Sequence, residues 1–565
     1  MSSPVSNRIW GRAMIKGLCD LGVDHFFVSP GARSAPLAAA LADLPSDIVT
    51  THFDERGMSF AALGWSLASG KPVVCVTTSG SAVANLLPAC VEASHSGVPL
   101  IFLTADRPPE LRGTGANQTI HQPGLFGSFI RFQADIPCAG PDNSLDQLED
   151  FIQKALQSAT GENPGPVHLN MPFREPLLPA EDNSDIDLRP LVPVENLQHP
   201  CVNESPNLGA FFQCERGVVV VGRLPACEQG DVQAAIKFAE HLGWPVFADA
   251  LSGARLSAEV ISHADAILQR KDTPPPERVL HFGGSLVSKR IGQWISHCKS
   301  SDYLQVRRSA LTLDPWDQKP VVIRSGIAEF CEANVQGSRG TSCWRRDWIR
   351  ADDEVRKVFQ THLDNASNLS EPSISRVVAR VVSLQQRPLF LGNSMPVRDF
   401  DSFAPTLAHH SMPIFGNRGA SGIDGNVATM AGISLAGNAH LIGVLGDLTV
   451  LHDLNSLALL RGLSVTLLVV NNDGGGIFQF LLLAMNTESR EKLLETPHGC
   501  NFEHAAAQFG LDYQVIASLA ELEKTLAQRS SKPRVLECKT SREANFVLHT
   551  QIADHVRQIP FVWSK

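Results

Sequence analysis

Residues 441–478, LIGVLGDLTVLHDLNSLALLRGLSVTLLVVNNDGGGIF, constrain this chain more than any other stretch. An apolar run of strand length, 441–446, ends in Gly446-Asp447. Leu451, Leu454, Leu457, Ala458 and Leu460 then recur at helical spacing. A second apolar run, 465–470, ends in Asn471-Asn472, followed by Asp473 and Gly474-Gly475-Gly476. The order is strand, helix, strand, and parallel strands joined this way take a right-handed crossover. The crossover brings Asp447 and Asn472, 25 residues apart, to neighbouring strand ends. Two oxygen-bearing side chains beside a Gly-rich turn suit Mg²⁺, which takes a few protein oxygens and completes its shell with phosphate and water. The glycines let backbone groups approach a diphosphate closely. Either half alone reads equally as an ordinary turn. The two at this spacing point to a magnesium-diphosphate cradle.

The rest of the chain repeats the same alternation. In 1–180, helical patterns at 9–21, 36–44, 59–69 and 82–93 alternate with short apolar runs at 25–28, 49–53, 73–78 and 99–104. That pattern predicts an α/β fold with mostly parallel sheets covered on both faces. Further apolar runs at 217–222, 245–248 and 278–282 predict a second α/β unit, and those from 387–391 onward a third. The expected domains are 1–180, 209–335 and 371–565. Polar 181–208 and charged 336–370 are expected linkers.

Composition excludes several classes. A net charge of −10 argues against nucleic acid, though not against a locally basic pocket. The twelve cysteines form no C-x-x-C pair and read as thiols in a reducing compartment, not as disulfides or a zinc site. No apolar stretch is long enough to span a membrane, and the N-terminus lacks a signal-peptide core, so a cytoplasmic location is expected.

Gly-Asp followed some 25 residues later by Asn-Asn resembles the thiamine-diphosphate signature. Leu448 stands where that family often has a third glycine. Longer segments narrow the resemblance: SPGARSAPL (29–37), FDERGMSFAALG (53–64), TSGSAVANLLPACVEA (78–93), LTADRPPELRGTGANQTIHQPGLF (103–126), GNSMPVRDFD (392–401) and NRGASGIDGNVATMAG (417–432). They resemble the 2-succinyl-5-enolpyruvyl-6-hydroxy-3-cyclohexene-1-carboxylate synthase family of menaquinone biosynthesis. The middle unit matches less well, best at GGSLVSKRIGQW (283–294).

The resemblance implies three doubly wound parallel-sheet domains of the thiamine-diphosphate decarboxylase/carboligase type: a pyrimidine-binding domain, a central domain and a diphosphate-binding domain. It implies a transferase that decarboxylates 2-oxoglutarate and adds the resulting carbanion in 1,4 fashion to isochorismate. The cofactors implied are thiamine diphosphate and Mg²⁺, with Mn²⁺ as a substitute. Asp447 and Asn472 would ligate the metal through side-chain oxygens and Gly474 through its carbonyl, with Asp473 facing away. Gly446, Leu448 and Gly475 would border the diphosphate, and Ile477 and Phe478 would form apolar walls.

Glu55, by itself a helix-start acid, falls where the family places the carboxylate that bonds the cofactor's aminopyrimidine in a dry pocket. Ile423, by itself an ordinary core residue, matches the apolar wedge that bends the cofactor. Two dianionic substrates need fixed cations, and Arg grips a planar carboxylate better than Lys does. Arg33, Arg107, Arg290, Arg398 and Arg418 match substrate positions, as do Lys289, Asn117, Gln118 and Ser394. Ala32 stands where relatives often carry Ser. In the family the cofactor lies between domains of two subunits, so a homodimer or tetramer is expected. The alternatives are another thiamine-diphosphate carboligase, such as an acetolactate-synthase type, or a non-catalytic binding protein with the same fold.

Overall fold

The computed structural model describes residues 3–140, 143–179, 188–192, 208–256, 259–299, 302–311, 313–335, 342–366, 368–408, 411–481 and 485–564. Their contacts divide the chain into two compact units. The first comprises Met1–Pro200, Asn417–Gly437 and Asp453–Leu460, and the second Cys201–Gly416, Asn438–His452 and Arg461–Lys565. The stretch expected as one domain, 371–565, is thus shared between both units.

The first unit holds a six-stranded parallel sheet: β1 (Phe26–Val28), β2 (Val49–Thr51), β3 (Val73–Thr77), β4 (Leu100–Asp106), β5 (Phe132–Asp135) and β6 (Val167–Pro172). Its order is β2-β1-β3-β4-β6-β5. β3, β4 and β6 are buried along their whole length, as central strands of a sheet covered on both faces should be.

The second unit contains two more such sheets. One is built from β7 (Gly217–Val221), β8 (Val246–Ala248), β9 (Val260–Ile261), β10 (Arg278–Phe282), β11 (Tyr303–Val306) and β12 (Val321–Ile323), in the order β12-β11-β10-β7-β8-β9. The other is built from β13 (Leu389–Leu391), β14 (Ile414–Phe415), β15 (Leu441–Gly446), β16 (Val465–Asn471), β17 (Asp512–Ile516) and β18 (Arg534–Lys539). Its order, β14-β13-β15-β16-β18-β17, repeats that of the first sheet. The α/β class and the three doubly wound sheets expected from the sequence are therefore present.

Three local differences bear on the site. The helix expected at 59–69 begins at Glu55, because the Asp54 side chain caps it by accepting from the Arg56 and Gly57 N–H groups. The helix expected at 82–93 is two, Ser81–Ala84 and Leu87–Ser96. Pro88 lies in the first turn of the second, where a missing N–H is tolerated. Most of 181–208 lies outside the described residues, but 336–370 is not simply a linker. It carries the helix Cys343–Phe359, with Trp344, Trp348, Ala351 and Val355 buried. That apolar stripe is at helical spacing, and the charged residues between its members hide it in the sequence.

In the first unit the helices Glu55–Ser69 and Asn426–Leu435 pack with their backbones in contact. A Cβ on Gly64 would lie 2.0 Å from the Thr429 carbonyl oxygen, and one on Gly432 would lie 1.8 Å from that of Ala61. The close crossing ties the Glu55 helix to the helix that follows Ile423. No helix among the described residues is long and apolar enough to cross a membrane.

Candidate active site

In the third sheet β15 and β16 lie side by side and parallel, with Gly446 opposite Val470. Asp447 therefore leaves its strand next to the turn that follows β16. Its buried carboxylate is held from three directions: Oδ1 accepts from Leu448 N–H at 2.6 Å, and Oδ2 accepts from the N–H groups of Asn472 at 3.1 Å and Gly474 at 2.9 Å. His498 Nε2 stands 3.2 Å from Oδ2.

The two asparagines at the end of β16 have different tasks. Asn471 Nδ2 donates to the Glu537 carboxylate and the Cys500 carbonyl, so it is absorbed into the framework. Asn472 Nδ2 donates to Glu371 Oε1 at 2.8 Å, while its Oδ1 is buried without a hydrogen-bond partner among the described residues. An unpaired buried carbonyl oxygen is costly unless a ligand meets it. The Asp473 carboxylate accepts from the His498 and Gly499 N–H groups. Gly474 has φ 133, and a Cβ there would lie 2.2 Å from the Glu495 carbonyl oxygen, so the turn requires glycine.

The same turn is braced by groups no motif announces. Arg542, on the C-terminal helix Arg542–Gln558, donates to the Asn472 and Asp473 carbonyls and pairs with buried Glu495. Glu371 is fully buried, and burial first, then the Asp399 charge, push its carboxyl up to about 8. Glu371 follows a charged segment and precedes Pro372, so nothing near it in sequence marks it as a neighbour of Asn472.

Ser394 and Arg398 lie at the same edge of this sheet, after β13, which pairs with β15. Ser394 has φ 71, and Arg398 Nη1 donates to its carbonyl at 2.5 Å. Ile477 and Phe478 are half-buried in the turn Gly476–Phe480 after the glycines, with Phe478 packed so closely on Gly475 that a Cβ there would clash. Lys289 and Arg290 are in the second sheet's portion of the unit, exposed at the start of the helix Lys289–Ile295. Arg290 is paired with Asp265 at 2.7 Å.

The first unit gathers the other residues at the C-terminal ends of its strands. Arg33 is only 6% exposed, donating from Nη1 to the Phe173 carbonyl at 2.9 Å and from Nη2 to Glu175 at 2.6 Å. Its Nε has no partner among the described residues. Arg107, just past β4, donates to Ser79 Oγ, and burial together with the nearby Arg33 charge lowers its pKa. Gln118 has φ 54 and donates to the Ser79 carbonyl at 2.9 Å, pinning the loop on which Asn117 is exposed. Glu55 is half-buried and accepts from Asn85 Nδ2 at 3.2 Å. Asn85 comes from the break between the two short helices that the sequence pattern reads as one. The dry pocket expected around Glu55 is not complete in this unit. Arg418 and Ile423, half-buried in the loop before the helix Asn426–Leu435, belong to this unit as well.

Among the described residues no three His, Cys, Asp or Glu side chains gather to hold a metal ion by themselves. A single carboxylate, an unpaired amide oxygen and a glycine carbonyl fit a cation whose remaining ligands are phosphate and water.

Comparison with known proteins identifies the family. Residues 10–125 match the family described as thiamine pyrophosphate enzyme, N-terminal TPP binding domain, and residues 188–391 match the middle domain of thiamine pyrophosphate enzymes. The chain is 40% identical to the 2-succinyl-5-enolpyruvyl-6-hydroxy-3-cyclohexene-1-carboxylate synthase of Rubrobacter xylanophilus, over 97% of this chain and 98% of that one. The chain belongs to this synthase family. The synthase of Salinibacter ruber is 37% identical over 99% and 98% of the two chains, and that of Chlorobium phaeobacteroides 34% over 99% of each. As a member of the synthase family, the chain is a thiamine-diphosphate-dependent enzyme.

Proposed function

We propose that this chain joins 2-oxoglutarate, after loss of CO₂, to isochorismate by 1,4-addition, as a transferase of menaquinone biosynthesis. The observation that carries the cofactor half of this reading is the buried, unpaired Asn472 Oδ1, whose own backbone N–H is anchored on Asp447. Asp447, Asn472 and the Gly474 carbonyl would hold Mg²⁺ and through it the diphosphate, with Gly446, Leu448 and Gly475 bordering it. Bound thiamine diphosphate supplies the electron sink that lets a 2-oxo acid lose CO₂.

The chain's own groups do the rest. Glu55 would hold a proton at N1′ of the aminopyrimidine, and the Ile423 side chain would pack against the bound cofactor and exclude water. Ile477 and Phe478 form apolar walls. Arg33, Arg107, Arg398 and Arg418 supply planar donors to the substrate carboxylates, aided by Asn117, Gln118 and Ser394. Arg33 supports this role with a buried guanidinium that keeps an unused N–H. Arg290 is committed to Asp265 and, with Lys289, would act on substrate from the rim. Glu55 is half-exposed in its unit, and the reading requires a second copy of the chain to complete its surroundings, so the active form is at least a homodimer.

The deciding experiment supplies 2-oxoglutarate and isochorismate with thiamine diphosphate and Mg²⁺. CO₂ release matched one for one by isochorismate loss is expected. Pyruvate consumed with CO₂ release, while 2-oxoglutarate and isochorismate are left untouched, would overturn the reading.

A further inference from the structure

Glu92 has no part in the assignments above, yet its side chain is one of the most thoroughly bonded carboxylates in the first unit. It lies on the helix Leu87–Ser96 and is 3% exposed. Oε1 accepts from Gly419 N–H at 2.6 Å and from Ser96 Oγ at 2.8 Å. Oε2 accepts from the N–H groups of Ala420 at 2.7 Å and Ser421 at 3.2 Å. Three successive backbone donors thus converge on one carboxylate, an anion-binding nest filled from within the fold.

The segment held in this way carries Arg418 at one end and Ile423 at the other. It has no regular secondary structure. Asn417 Nδ2 donates to Thr429 Oγ1 at 2.9 Å, and Asn426 Nδ2 donates to the Gly422 and Asp424 carbonyls. Between these anchors Ser421 sits at φ 63, a conformation a non-glycine residue keeps where its surroundings enforce it. The approach also needs a bare Gly419, since a Cβ there would lie 2.6 Å from both the Glu92 carbonyl oxygen and Ser96 Oγ. A buried carboxylate adds little net stability, because desolvation offsets its bonds. It does impose one geometry on the loop.

We propose that Glu92 is a positioning residue: by fixing the Gly419–Ser421 backbone it sets where Arg418 meets a substrate carboxylate and where Ile423 meets the cofactor. The inference rests on the roles given to Arg418 and Ile423 above. Glu92→Gln turns one acceptor into an amide that faces N–H donors. Ser96→Ala removes a single donor, and Gly419→Ala pushes the loop away from the other side. Three readouts apply to each variant: hydrogen exchange of the 417–424 segment, thiamine diphosphate affinity with Mg²⁺ by calorimetry, and KM and kcat with isochorismate.

Loss of charge-assisted bonds predicts, for Glu92→Gln and Gly419→Ala, about tenfold or faster exchange and about tenfold weaker cofactor affinity, with KM changing more than kcat. Ser96→Ala shifts each in the same direction by less. Unchanged exchange overturns the proposal. So does faster exchange with unaltered cofactor affinity and KM, which would make Glu92 structural only. If the unsubstituted enzyme does not consume the two substrates, the proposed reaction fails, while exchange and cofactor affinity still decide the role of Glu92.

Discussion

Asn472→Ala separates what the fold needs from what the cofactor needs. The substitution removes two polar atoms with opposite balances. Nδ2 donates to Glu371 Oε1 at 2.8 Å, and losing it leaves that buried oxygen short of a donor, a cost of about 1–3 kcal/mol. Oδ1 is buried with no partner, so deleting it relieves a penalty of about the same size. The backbone N–H bond to Asp447 is untouched. The cofactor-free protein should therefore melt within a few degrees of the unsubstituted one. Cofactor binding should change far more. At a ligand concentration of about 100 times Kd, binding stabilises the native state by about 2.7 kcal/mol. At about 1–2 °C per kcal/mol for a unit of this size, that is a rise of about 3–5 °C. Thermal melts with and without thiamine diphosphate and Mg²⁺ should show this rise in the unsubstituted protein and none in Asn472→Ala. A variant that keeps the full Mg²⁺-dependent rise would refute the placement of the metal at Asn472. A variant that loses ten or more degrees without cofactor would show that Oδ1 is not an idle atom in the empty fold.

Glu55→Gln should abolish nearly all turnover while calorimetry still detects cofactor binding through the diphosphate; full activity would remove Glu55 from the chemistry. Gly432→Ala gains about 1 kcal/mol of helix propensity but forces apart two backbones, because the new Cβ would stand 1.8 Å from the Ala61 carbonyl oxygen. Overpacking of that kind costs about 1–3 kcal/mol or more, so Tm should fall, and a rise would mean the crossing yields freely. His281 is fully buried, with Nδ1 against Tyr303 Oη and Nε2 against the Gly284 carbonyl, and burial lowers its pKa to about 4. Its ordinary value is about 6.5, so the folded state binds fewer protons, and the stability present above about 6.5 is lost as pH falls toward about 4. Denaturant melts across that window should show a shallower acid decline in His281→Gln than in the unsubstituted protein.

Much of the architecture was legible because it is written in local period. Continuous apolar runs of strand length, each followed by a helical pattern, announce parallel sheets wherever they occur. Asp447 and Asn472 could be paired because both close such runs. The helix Cys343–Phe359 escaped because its buried stripe is interleaved with arginines and aspartates that, read singly, suggest a solvated linker. The break at Asn85 escaped because Pro88 at the start of a new helix looks the same in sequence as a proline inside one.

The groups that brace the site were not legible at all. Glu371 meets Asn472 across 101 positions and Glu92 meets Gly419 across 327. Neither carboxylate belongs to a pattern of its own. Side-chain period is a property of neighbours along the chain, so residues alone determined the strands, the turn glycines and the polar residues at strand ends. Which buried carboxylate faces which backbone depends on how distant segments pack. Only the folded chain decided that Asn472 Oδ1 is left unpaired, that Asn471 is used up in the framework, and that 417–437 and 453–460 pack with the first sheet's unit instead of with the rest of the third sheet.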